Sequence, residues 1–216
     1  MTTTMEFPMT PTSATQPAVG ARVPGRFRRE VGYLLSGLPL GTAAFVLLVT
    51  GFSLGVSTLV IALGVPVLGG TLAMARYFAR VESAQIEYVT GRALPPLPER
   101  TPRGGWAMLA DAQGWRDLLH AVVMFPVRVT TFSLSVSWMA GAAGGLTYGL
   151  WSWSLPRDEN DGLADLAFGW SGRGPDIAFM MVLGAFFLAT CVPVIRGLVA
   201  AQTGLGRVLL RDGGRL

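Results

Sequence analysis

The chain has 216 residues, of which 51% are hydrophobic and only 14% are charged, whereas an ordinary soluble domain has about 25% charged residues. With a mean hydropathy of +0.48, this composition excludes a typical water-soluble domain. All 17 basic residues are arginines, and because they flank apolar segments without forming a nucleic-acid-binding motif, the expected partner is an anionic lipid surface and not nucleic acid.

Residues 1–25 are rich in Thr, Pro, Ser and Ala and contain one acid, Glu6. Because this composition lacks periodic apolar residues, it predicts a disordered cytoplasmic tail. The segment also lacks the basic start and apolar run of a secretory signal. The apolar region that follows is therefore expected to target the protein to the membrane.

The stretch from Val31 to Ala75 contains no charged residue. As one helix its 45 residues would be ~68 Å long, roughly twice the hydrocarbon thickness of a bilayer. The stretch therefore predicts two spans, which form a first hairpin over residues 26–91. A turn near Gly51–Gly55 would give each span about 20 residues, and Pro66 would then kink the second helix.

A polar segment follows the first hairpin. Ala79–Gly91 is expected to extend the second helix into water, because Glu82 and Glu87 occur there. Residues 92–113 are rich in Pro and Arg and predict an extended cytoplasmic linker.

The second hairpin, predicted over residues 114–211, resembles a copy of the first. Six residue pairs share an offset of 87: Arg29 and Arg116, Glu30 and Asp117, Pro39 and Pro126, Phe45 and Phe132, Leu47 and Leu134, and Val49 and Val136. Arg76 and Arg196 mark corresponding span ends at an offset of 120. We therefore predict an all-α integral membrane protein with four transmembrane helices arranged as two tandem repeated hairpins.

The loop between the third span, ending near Leu150, and the fourth, Ile177–Ile195, contains two arginines and five acids. Because cytoplasmic segments are enriched in arginine, this loop is expected outside the cell and both termini in the cytoplasm. The first and third spans would then point the same way, and an axis along the membrane normal would relate the repeats.

Several motifs in this order resemble the actinobacterial Putative sensor domain family. They are Arg29-Glu30, Tyr33-Leu34-Leu35, Gly37-Leu38-Pro39-Leu40-Gly41, Leu63-Gly64-Val65-Pro66-Val67-Leu68, Ala75-Arg76, Ala79-Arg80-Val81-Glu82 and Trp115-Arg116-Asp117-Leu118. The resemblance covers about Arg28 to Leu210. One departure is Arg128, which stands where the first half has Gly41.

The resemblance implies a four-helix membrane module that often precedes a histidine kinase. Because the chain stops at Leu216 without room for kinase domains, we expect a stand-alone, non-enzymatic module of the cell membrane that relays an extracellular or bilayer stimulus. A histidine kinase or another signalling protein, the bilayer and a second copy of the chain are the candidate partners. The alternative is a small transporter or channel subunit, supported by Arg128 and the repeat.

The candidate ligand or signal residues are Arg128 and the charged or aromatic side chains of the outer loop: Trp151, Trp153, Asp158, Glu159, Asp161, Asp165 and Trp170. For Arg128, contact with headgroups or another helix is favoured over a ligand role. The predicted cytoplasmic interface consists of Arg28, Arg29, Glu30, Arg76, Arg80, Arg116, Asp117 and Arg196. His120, the single histidine, is expected to anchor its helix at that interface.

No catalytic, cofactor or metal site is predicted. The single cysteine, Cys191, cannot form an intrachain disulfide or a thiolate cluster. The segment from Asp158 lacks the glycine at position six and the glutamate at position twelve of an EF-hand loop. His120 has no accompanying ligand cluster or catalytic partners in the sequence pattern.

Overall fold

A computed structural model describes residues 25–94, 106, 109–155 and 162–211, with side chains described as far as residue 208. This part of the chain is helical and contains no strand. The helices are α1 (Arg26–Ser57), α2 (Gly64–Thr90), α3 (Ala112–Trp151), α4 (Leu163–Phe168) and α5 (Arg173–Arg211), with short 3₁₀ turns at Leu59–Ile61 and Ser152–Ser154. The tail over residues 1–24 and most of the Pro/Arg-rich linker lie outside the described residues.

Three helical segments are long and apolar enough to cross a membrane: Arg26–Ser57, Ala112–Ser154 and Arg173–Val208. α1 and α3 each continue through an internal proline, Pro39 and Pro126. The residues before each proline therefore belong to the same helix as those after it.

The predicted position of the turn in the first hairpin is wrong: the turn lies about two helical turns later in the sequence. α1 continues through Gly51–Gly55 to Ser57, and the turn occupies residues 58–63. Pro66 therefore lies in the first turn of α2, where a proline removes no intrahelical hydrogen bond. As a result α2 begins with only twelve uncharged residues, Gly64 to Ala75. In a helix they extend over about 18 Å, which is shorter than the hydrocarbon core of a bilayer.

Glycines allow the paired helices to approach closely. A Cβ at Gly64 would collide with the Gly55 carbonyl oxygen, and a Cβ at Gly184 would lie 2.7 Å from the Gly145 carbonyl carbon. Gly51 and Gly141 are packed as closely against the facing helix, whereas Gly144 has open space around it.

The two hairpins run in opposite directions. Phe45 stacks on Phe125 with ring centroids 4.3 Å apart, and Phe52 meets Trp115 at 6.0 Å. Residue numbers thus rise along α1 while they fall along the facing part of α3, so the two helices are antiparallel. An axis along a common membrane normal cannot relate them, and this part of the prediction is wrong.

The contacts that α2 and α5 make also show that the two hairpins run in opposite directions. Arg76 and Glu82 of α2 contact Asp117 and His120 of α3 in rising order, so α2 runs parallel to α3. Glu30 of α1 contacts Arg196 of α5, and the next contact along both helices joins residues 37 and 202. α1 and α5 are therefore parallel. This arrangement conflicts with four simply alternating spans, in which α2 and α3 would run in opposite directions.

Candidate functional site

A buried ionic cluster joins the two hairpins. Glu82 of α2 lies between two side chains of α3: its Oε2 is 2.8 Å from His120 Nε2, and its Oε1 is 2.9 Å from Arg128 Nη2. All three residues are less than 10% exposed. A buried carboxylate is costly in free energy unless it is paired. The two side chains of α3 therefore stabilise the buried Glu82 carboxylate.

Two expectations about this cluster are wrong. Glu82 does not extend into water but is buried, because α2 packs against α3 along this turn. His120 does not anchor α3 among headgroups, because its ring is directed at the Glu82 carboxylate. Of the roles favoured for Arg128, the helix-to-helix contact is the one observed.

A second ion pair joins α2 and α3. Arg76 Nη1 is 3.6 Å from Asp117 Oδ2, and Gln113 Nε2 donates a hydrogen bond of 3.0 Å to Asp117 Oδ1. Both charged side chains are buried. Arg76 and Asp117, which were both predicted at the cytoplasmic interface, therefore connect two helices within the bundle.

Glu30 is the buried acid of α1. It accepts a 2.8 Å hydrogen bond from Arg26 Nε, and Arg196 of α5 approaches within 3.7 Å. The Arg196 side chain is about half exposed, at 54%. This contact is the one ion pair between α1 and α5 among the described residues.

The contacts are exchanged between the halves of the sequence. Glu30 corresponds to Asp117 at the offset of 87, and Arg196 corresponds to Arg76 at the offset of 120. Each acid therefore contacts the arginine of the opposite half.

The central cluster follows the same exchange. Tyr33 corresponds to His120, and Gln202 corresponds to Glu82. Gln202 lies near the Tyr33 hydroxyl, as Glu82 lies against His120, and it also accepts a 2.7 Å hydrogen bond from Thr131. One of these two contacts thus joins a carboxylate and an imidazole, whereas the other joins a phenol and an amide.

A cavity of about 10 Å³ lies beside Glu82, His120 and Arg128, which is about the space that one water molecule occupies. It is lined by no hydroxyl or thiol side chain. Among the described residues, no group of three or more His, Cys, Asp or Glu could hold a metal ion.

The remaining predicted interface residues are less buried. Arg28, Arg80 and Arg116 are exposed, and Arg29 is partly exposed with its guanidinium 5.7 Å from the Tyr88 ring centroid. These side chains lie on the surface of the helices that carry the buried pairs.

The structure does not bring the outer-loop candidates together with Arg128. Trp151, Trp153 and Trp170 are exposed, and Asp165 is partly buried in the first turn of α4. Asp158, Glu159 and Asp161 lie outside the described residues. The buried acid of this region is instead Asp176, which accepts a 2.8 Å hydrogen bond from Tyr148 and one from the Ala164 amide at 3.3 Å.

Sequence reasoning missed Glu82, Gln202 and Asp176. The first two could have been found by extending the offset of 120 from Arg76 and Arg196 by six residues, which pairs Glu82 with Gln202. Asp176 has no comparable signal, because it lies in the loop predicted between the third and fourth spans, where none of the residues paired by an offset occurs.

A comparison with protein-family models matched residues 33–210 to the family described as Putative sensor. The matched region includes Glu82, His120 and Arg128. Searches of curated proteins and of solved structures gave no match.

Proposed function

The chain belongs to the Putative sensor family, and from this we propose that it is a non-enzymatic membrane module that relays a stimulus by changing how its two hairpins pack. The observation that supports this most directly is the burial of Glu82 between His120 and Arg128 at the contact of the two hairpins.

The cluster has the physical properties of a two-state contact. Separating Glu82 from Arg128 within the bundle would leave a buried charge without its partner, at a cost of roughly 3–5 kcal/mol. If the hairpins separate enough to admit water, both groups become hydrated and this cost falls. Intermediate separations are therefore disfavoured, and a stimulus that stabilises one packing would shift the population.

Two membrane arrangements follow from different observations. The arginine asymmetry supports four spans, two repeated hairpins and both termini in the cytoplasm. The alternating directions of α1, α3 and α5, which are also the three most apolar long helices, support three crossings with the termini on opposite faces. In the second arrangement α1 ends and α3 begins on the same side of the membrane.

The transporter or channel alternative has weaker support. It depended on a parallel repeat and on Arg128 as an intramembrane charge. However, α1 and α3 are antiparallel, and Arg128 is bound to Glu82 and packed against Gly41. A proposal of transport therefore needs a flux measurement.

Partner capture tests the relay. The wild-type protein, Glu82→Gln and the control Glu87→Gln would be crosslinked in native membranes, and captured proteins identified by mass spectrometry. We expect a histidine kinase, another signalling protein or a second copy of the chain, with the yield altered several-fold by Glu82→Gln alone. Solute flux in liposomes that is abolished by Arg128→Ala, without partner capture, would contradict the proposal and favour transport.

A further inference from the structure

A groove of about 480 Å³ lies between the first turns of α1 and the last turns of α2. Its polar lining consists of Arg28, Arg29, Tyr33, Ser36, Gln85 and Tyr88. We propose that this groove binds a phosphate ester. The proposal does not require a signalling role, because it concerns binding alone.

The charge of the groove favours an anion. It is lined by two arginines and no acid, and neither Arg28 nor Arg29 forms a salt bridge with any described residue. Tyr88 holds the Arg29 guanidinium near its ring face, which limits the orientations of that side chain. Because two neighbouring guanidinium groups offer several N–H donors, they suit the oxygens of a phosphate.

Backbone groups add to the positive electrostatic potential of the groove. The groove includes Gly25, the N-cap of the 32-residue helix α1, and no side chain among the described residues caps this end. The amides of the first turn have no intrahelical acceptor, and the positive end of the helix dipole lies at the groove. Phosphates bind favourably at such helix ends.

Tyr33 forms the inner side of the groove and is only 5% exposed. Its hydroxyl lies near Gln202 of α5 and therefore belongs to the central cluster. The charged donors that the groove offers to an anion are the two arginines, Arg28 and Arg29.

The size of the groove indicates more than inorganic phosphate. Its volume is in the range of small-molecule sites, which is about 300–1,000 Å³, and the Tyr88 ring and Gly32 offer an apolar wall beside the arginines. A phosphate carrying an organic group fits these features. Its source is either a phospholipid headgroup or a water-soluble phosphate ester.

Binding to the purified full chain in a non-ionic detergent distinguishes these sources. The probes are dihexanoyl phosphatidic acid, glycerol 3-phosphate and, as the control without phosphate, dihexanoylglycerol, each titrated by calorimetry. The variant Arg28→Gln/Arg29→Gln removes both charges, and Arg80→Gln removes an exposed arginine of α2 outside the groove.

We expect the double variant to weaken phosphatidic acid binding at least tenfold, and Arg80→Gln to change it less than twofold. If glycerol 3-phosphate binds with the same arginine dependence, the ligand is a soluble phosphate ester; if only the lipid does, it is a headgroup. The proposal is overturned if neither phosphate probe binds the wild type, or if the double variant binds as tightly as the wild type. Circular dichroism would verify that the variants remain helical.

Discussion

Arg128 of α3 packs directly against Gly41 of α1, the residue at the corresponding position in the first half. A Cβ at residue 41 would lie 2.6 Å from Arg128 Cδ and 3.2 Å from its Nη1. The same arginine reaches Glu82 at 2.9 Å. The missing side chain at position 41 therefore gives Arg128 the room it uses to reach α2.

Replacing Gly41 by alanine should displace Arg128 and weaken its contact with Glu82. We expect thermal unfolding in detergent to show a loss of about 1–3 kcal/mol, the usual cost of overpacking. Gly70→Ala is the matched control, because residue 70 is also helical and has open space; alanine there should stabilise slightly. Equal melting temperatures for Gly41→Ala and Gly70→Ala would contradict the packing.

Neutralising Glu82 should leave Arg128 buried without its carboxylate. Glu82→Gln is expected to destabilise the protein by roughly 3–5 kcal/mol, and the double variant Glu82→Gln/Arg128→Gln by less than the sum of the single changes. Denaturant unfolding of the four proteins in detergent measures this coupling. Strict additivity would mean that the two side chains do not interact.

Thiol crosslinking tests the opposite directions of the hairpins. In a Cys191→Ser background, Phe52→Cys/Trp115→Cys should react with a short bifunctional reagent, because the two rings are 6.0 Å apart. Phe52→Cys/Met139→Cys is the control, since residue 139 lies 24 positions further along α3, about 36 Å away in a helix. Crosslinking of the control pair alone would indicate parallel hairpins.

Labelling with an impermeant thiol reagent tests the membrane arrangement. With Ser13→Cys or Gly213→Cys in the Cys191→Ser background, the parallel directions of α1 and α5 predict that intact cells label one terminus and not the other. Protection of both termini until the cells are opened would instead favour four spans with cytoplasmic ends.

The hydrogen bond from Tyr148 to Asp176 should stabilise the junction of α3 and α5. Tyr148→Phe leaves one oxygen of a buried carboxylate with less compensation, and we expect a loss of about 1–3 kcal/mol in unfolding experiments. Tyr77→Phe is a suitable comparison, because Tyr77 is 61% exposed and its substitution should have little effect. If both variants unfolded alike, Asp176 would not depend on Tyr148.

The helical class and the long apolar helices could be predicted because both follow from local composition. The uncharged stretch from Val31 to Ala75 and the apolar character of α3 and α5 are visible without knowing any contact. The position of the first turn could not be predicted, because glycines such as Gly51 and Gly55 are typical both of turns and of close helix packing. Here they pack against Thr71 and Leu68.

The site was harder to predict because its charges are stabilised by residues far apart in sequence. Composition alone indicates that Glu82 faces water, and only the position of α3 determines that it meets His120 and Arg128. The direction of α3 also depends on residues 91–111, whose length permits either orientation. Sequence identified Arg128 as unusual because it was an arginine in an apolar helix, which is a local signal.

The ion pairs between the two halves have a consequence for how the chain assembles. Glu30 is bound by Arg26 of its own half, but its contact with Arg196 and the contact of Arg76 with Asp117 each join opposite halves. Two separate hairpins could form both contacts only by docking in opposite directions. A single chain makes that encounter intramolecular and thereby raises the effective concentration of each partner.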